Sequence, residues 1–252
     1  MAAASRQGTP GAFEIESADD FLITGQTTVN SASVVGLFVP APTGAGFSIS
    51  QVTVEIYRVF PQDSDITRTP NVPTRINSPS DIAFDSRSSS TAGQLSFTSS
   101  VLANSFTALN SVQAGGIHPR PNQTTGGNGA VSGQEVQLNV TFTTPLNLAA
   151  NHYFFIPQIT LTNGAQFYWL SASRPISGAG TTPFAPDLQA WTRDNGLDPD
   201  WLRIGTDIVG GATSPTFNLA FSLDGTVVPE PASLSLITAG LLLVAAQARR
   251  KA

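Results

Sequence analysis

The sequence predicts an all-β protein: an antiparallel β-sandwich or jelly-roll-like body with long loops, followed by one C-terminal hydrophobic helix. Three observations carry this prediction. Apolar and polar residues alternate over short runs. Glycine (22 residues) and proline (18 residues) punctuate those runs. Helix-period apolar stripes are nearly absent before residue 230.

The clearest strands are three. Val52, Val54 and Ile56 alternate with Thr53 and Glu55. Val136, Leu138, Val140 and Phe142 alternate with Gln137, Asn139 and Thr141. Phe217, Leu219, Phe221 and Leu223 alternate with Asn218, Ala220 and Ser222. Each set gives a strand one apolar and one polar face. Phe21–Thr24, Val34–Val39, Leu95–Thr98, Ser105–Leu109, His152–Leu161 and Gln166–Ala172 complete the set, the last two rich in aromatic residues. Pro157 interrupts its run, which implies a bulge or an edge position. Pro61–Gly93 and Gln113–Gly129 lack strand pattern and read as long surface loops. Residues 1–12 are expected to be unstructured, residues 13–226 to form the sandwich, and residues 227–252 to form a separate tail.

Composition narrows the function classes. Charged residues make up 12% of the 252-residue chain, about half the usual share. The net charge of −5 leaves no basic face for phosphates, so nucleic acid is excluded as a general partner. The chain has no cysteine, which removes disulfides, thiolate metal sites and cysteine nucleophiles. Its surface draws solubility mostly from serine, threonine, asparagine and glutamine, a composition that suits an exported protein.

The tail is the most specific feature. Pro229-Glu230-Pro231 precedes an uncharged run over residues 232–248, which is followed by Arg249, Arg250 and Lys251. As a helix that run would span about 25 Å, near the lower limit for crossing a bilayer. Pro231 stands where a proline starts a helix without cost. The three terminal bases favour the cytoplasmic side, which sends the body outward.

The triplet, the short apolar segment and the basic end together resemble the PEP-CTERM sorting signal of Gram-negative bacteria. The resemblance covers about the last 24 residues. It implies recognition by an exosortase, cleavage near Pro229–Pro231, and delivery of the body to the cell surface or an exopolysaccharide or biofilm matrix. The stretches Val54–Pro61, Val72–Asp81, His152–Gln158, Phe167–Ala172 and Asp200–Gly211 also resemble a recurrent exported type of PEP-CTERM protein, to which the resemblance attaches a location and no activity. Export requires a signal peptide, and Met1–Ala12 shows neither a basic start nor an apolar stretch. The leader is therefore expected upstream or already removed; the competing reading is a tail-anchored protein whose body stays inside.

Catalytic constellations are sparse. His118 and His152 are the only histidines, and no G-x-S-x-G elbow exists. Glu14, Glu16, Glu55 and Glu135 could supply a glycosidase pair, but Glu55 and Glu135 fall on the polar side of their strands, where a solvated carboxylate is the ordinary role. The chain is expected not to be an enzyme and to need no cofactor. A structural calcium is the one plausible ion, with Asp63, Asp65, Asp198 and Asp200 as candidate ligands in loop contexts. Trp191 and Trp201 flank a turn-rich, polar segment and are the candidates for stacking on a sugar ring. The alternative to a structural or adhesive surface protein is thus a secreted carbohydrate-binding module.

Overall fold

The computed structural model describes residues 1–117, 124–172, 188–210 and 217–228. Two β-sheets make up the body. The larger holds β1 (Ala2–Ala4), β3 (Thr27–Val39), β6 (Leu95–Ala108), β7 (Ser111–Val112), β8 (Val131–Leu148) and β10 (Gln166–Ala172). These run in the order β6-β8-β3-β10-β1-β7, with β13 (Asn218–Leu219) on β10 and β14 (Phe221–Val227) on β3. The smaller holds β2 (Ile15–Ile23), β4 (Ile49–Arg58), β5 (Asp85–Ser88), β9 (Asn151–Leu161), β11 (Trp191–Asp194) and β12 (Leu202–Arg203), in the order β12-β11-β2-β9-β4-β5. All pairings are antiparallel except β1 with β7. A single turn of π-helix, Ile204–Val209, is the only helix among the described residues, and none is long and apolar enough to cross a membrane.

The main core joins the apolar faces of both sheets. Val34, Leu37, Leu138, Val140 and Trp169 of the larger sheet meet Val52, Val54, Ile56, Phe155 and Ile159 of the smaller, all almost fully buried. Phe155 stacks on Phe221 at 5.1 Å between centroids, and Trp169 meets both rings edge-on. Trp169 Nε1 donates to the Ala220 carbonyl at 2.9 Å, so the one polar atom of the ring is satisfied inside the core.

A second cluster lies on the other face of the smaller sheet: Ala18, Tyr57, Phe154, Ile156, Leu188, Trp191 and Trp201. Strand β9 is therefore covered on both faces, which explains its nearly continuous apolar run. The cover includes the long loop after β4. Asp200, 2% exposed, pins it: one carboxylate oxygen takes Arg68 Nη2 at 2.6 Å, the other the Asn71 amide at 2.8 Å. Asp81 takes Arg75 Nη2 at 2.6 Å, and Trp201 Nε1 donates to the Ser80 carbonyl at 3.1 Å. The loop predicted over Pro61–Gly93 is thus mostly a fixed lid on a sheet, and its end supplies β5.

One expectation changes and one holds locally. Residues 1–12 are not unstructured: Ala2, Ala3 and Ala4 are fully buried and pair with both β10 and β7. Three alanines show no alternation, yet their small side chains fit between layers that larger ones would force apart. Pro157 lies in a strand flanked on both sides, but the pairing of β2 with β9 stops at Phe155. Its missing N–H therefore costs no ladder bond on that side, and Ser5 Oγ caps its carbonyl at 2.6 Å.

Candidate functional site

The predicted sorting elements lie outside the described residues: Pro229, Glu230 and Pro231, the apolar run 232–248, and Arg249, Arg250 and Lys251. What the structure does show is where the last described strand ends. β14 pairs with β3 down to Val227–Thr27, and the Val228 amide donates to the Gln26 carbonyl at 2.7 Å. The triplet begins at the next residue.

The other sequence candidates are dispersed. Trp191 and Trp201 are each 1% exposed. Trp191 Nε1 donates to the Leu188 carbonyl at 2.8 Å, and Trp201 packs edge-on against Tyr57. Neither ring offers a face to a sugar, because both serve as the apolar filling under the lid. The four candidate calcium ligands are engaged elsewhere. Asp63 is paired with Arg58, Asp65 accepts from Thr67, Asp198 lies 2.9 Å from Arg193 Nη1, and Asp200 holds Arg68. Among the described residues no three of histidine, cysteine, aspartate and glutamate come together as a metal site. His152 Nε2 lies 2.7 Å from Asp20 Oδ2, and His118 falls outside the described residues.

The structure assembles instead a polar cluster on the lid side of the smaller sheet. Glu16 on β2 and Arg193 on β11 are cross-strand partners, and their side chains, 8% and 6% exposed, form a buried ion pair. Arg193 Nη2 donates to Tyr57 Oη at 2.8 Å. Its Nη1 reaches the carbonyls of Asp81 at 3.2 Å and Pro199 at 3.3 Å. The guanidinium also lies 4.3 Å over the Trp201 ring. Tyr57 Oη stands 2.9 Å from Glu16 Oε1 and 3.2 Å from Glu55 Oε2.

This geometry fixes where the protons go. Burial pushes the Glu55 carboxyl up to about 8, with the neighbouring charge of Glu16 acting in the same direction. A hydroxyl has one proton to give. Tyr57 shares it between the arginine-paired Glu16, the shorter contact, and Glu55, which also bonds Glu16 directly. Burial, reinforced by Glu16, holds the phenol itself well above its ordinary range. For Arg193, burial works against the charge, but Glu16 outweighs it and the guanidinium stays charged.

Above this row lies a polar pocket of about 170 Å³. Glu14, Glu16, Glu55, Asp194 and Asp198 line it together with Arg193. Glu14 accepts from Gln158 Nε2 at 2.8 Å, and the Glu14 amide donates to Asn195 Oδ1 at 2.7 Å. A catalytic carboxyl pair needs a gap that substrate can enter. Here Tyr57 Oη lies within hydrogen-bond distance of both Glu16 and Glu55. The cluster ties β2, β4 and β11 to the lid.

Comparison with known proteins leaves the chain on its own: no family model, no curated protein and no solved structure matches it.

Proposed function

We propose that this is an exported surface protein, held transiently by its C-terminal apolar segment. An exosortase processes it at Pro229-Glu230-Pro231 and delivers it to the cell surface or an exopolysaccharide matrix. Its role there is structural or adhesive, not enzymatic.

One observation carries the reading: the last strand of the body closes at Val227, and the tripartite tail begins two residues later. Every described strand is complete before the triplet, so cleavage there costs none of the described pairings. A Pro-Glu-Pro spacer between the last described strand and an apolar segment is what a membrane-face peptidase would need to reach. The non-enzymatic part rests on the cluster beneath the pocket, where arginine and tyrosine use the contacts that a reacting carboxyl pair would need free. The carbohydrate-module alternative loses its stacking platform with the burial of Trp191 and Trp201.

The test is the intact mass of the protein recovered from the envelope and medium of its host. A species ending near Pro229–Pro231 is expected. Replacing the triplet with three alanines should block that processing and leave the unfolding midpoint unchanged. A mature species that retains Lys251 would refute the sorting role.

A further inference from the structure

We propose that two copies of this chain associate through β6, edge to edge and antiparallel, about a two-fold axis at Thr98. The inference does not depend on the fate of the tail.

Strand β6 ends the larger sheet, and no described strand pairs with its outer edge. Free edges are normally protected by charge, proline, shortness or bulges. From Ser88 to Ile117 the chain carries no charged residue and no proline. The segment Leu95–Val101 pairs with Phe142–Val136 in unbroken register, and the first irregularity follows Val101. Seven residues of flat, neutral edge are therefore open. The other described sheet edges are guarded: β7 and β12 have two residues each, β5 carries Asp85 and Arg87, and β14 carries Asp224.

A second copy is the occupant this edge fits, because a two-fold interface must be complementary to itself. Leu95, Phe97, Ser99 and Val101 stand opposite core-facing residues of β8, while Ser96, Thr98 and Ser100 stand opposite Thr141, Asn139 and Gln137 on the solvent side. Reversing the segment about Thr98 sets Leu95 against the partner's Val101, Phe97 against the partner's Ser99 and Ser96 against the partner's Ser100. On the core side Leu95 meets Val101 while Phe97 covers the small Ser99, and on the outer side hydroxyl meets hydroxyl. Val101 is 52% exposed in the single chain and gains an apolar neighbour. The body is acidic, but no like charges oppose across this edge. Because the remaining edges are guarded, the pairing closes as a dimer and does not propagate.

The absence of native cysteine makes the test direct in the full chain. Opposed Cα atoms of an antiparallel pair lie about 4.5–5.5 Å apart, within disulfide range. Mild oxidation of the Thr98→Cys variant should give a covalent dimer on a non-reducing gel. The Thr141→Cys variant is the control: it lies on the same face one strand inward, opposite Ser96, and its two copies would stand about 20 Å apart. It should stay monomeric. Ser96→Cys and Ser100→Cys should each fail to cross-link alone and should cross-link when the two variants are mixed. No dimer from Thr98→Cys, equal dimer from Thr141→Cys, or no product from the mixed pair would each overturn the proposal.

Discussion

Replacing Arg193 with methionine tests whether the cluster under the lid holds the fold together. Methionine keeps much of the apolar stem and removes the charge. Glu16, 6% exposed, would then lie buried without a counter-charge. Removing one partner of a buried ion pair costs about 3–5 kcal/mol, mostly through the charge left behind. Loss of the contact over Trp201 adds about 0.5–1 kcal/mol. The expected loss is therefore about 3.5–6 kcal/mol, a large part of a domain's usual stability of about 5–15 kcal/mol. The assay is urea unfolding at pH 7, followed by tryptophan emission, since all three tryptophans are buried. Adding Glu16→Gln to Arg193→Met removes the stranded charge. The double variant should recover about 2 kcal/mol relative to the single one, within the range of direct couplings. A single variant that loses under about 1 kcal/mol, or a double variant that loses the sum of both, would refute the account of a buried, mutually dependent pair.

Three further outcomes follow from features already described. Glu55 keeps a proton in the folded state up to about pH 8, whereas the unfolded chain loses it near 4.5, so stability should fall as pH rises between those values and level off above. The slope at its steepest is about 1.4 kcal/mol per pH unit, and Glu55→Gln should flatten it in pH-dependent urea titrations. Gly36 lies in β3 under the Phe167 ring, and an added Cβ would come within 2.6 Å of both Phe167 Cζ and the Tyr168 carbonyl oxygen. Because one of those atoms is backbone, Gly36→Ala should cost about 3 kcal/mol in thermal or urea unfolding. Phe155→Ala empties the centre of the stacked aromatic group and should cost about 3–5 kcal/mol, read as a lowered urea midpoint with little change in slope.

The strands of the body were legible where one face is wet. Val136–Phe142 and Phe221–Leu223 alternate because a sheet with water on one side enforces a period of two. The same rule failed where both faces are dry. In β4, Glu55 shares its face with Tyr57, which is 3% exposed, so the polar side of that strand is not a solvated surface. The signals were the tyrosine at a polar position and the unbroken apolar run of β9; together they mark a sheet covered twice. The cluster itself was illegible. Glu16 and Arg193 are 177 residues apart, and no local pattern joins them. Trp191 and Trp201 look like surface residues because aspartates and arginines surround them in sequence. Those charges turn out to be the ion pairs that clamp the lid over the rings. The resemblance of the tail is the reverse case: its parts are contiguous in the chain, so it is legible without the fold, and it lies outside the described residues.

The ending of β14 beside the tail has a mechanical consequence. Any load carried by a C-terminal tether enters the body at Val227 and acts first on the outermost pairs of β14 with β3. Pulled from its end, an antiparallel ribbon opens like a zip, one bond pair at a time, and resists far less than a ribbon sheared along its length. Forced opening is governed by the rate of that first step and not by total stability. Peeling would run from Val227 toward Phe221, whose ring stacks on Phe155 and meets Trp169. Under such a load the peeling would run into the packing of Phe221 on Phe155 and Trp169, and that packing would resist further opening.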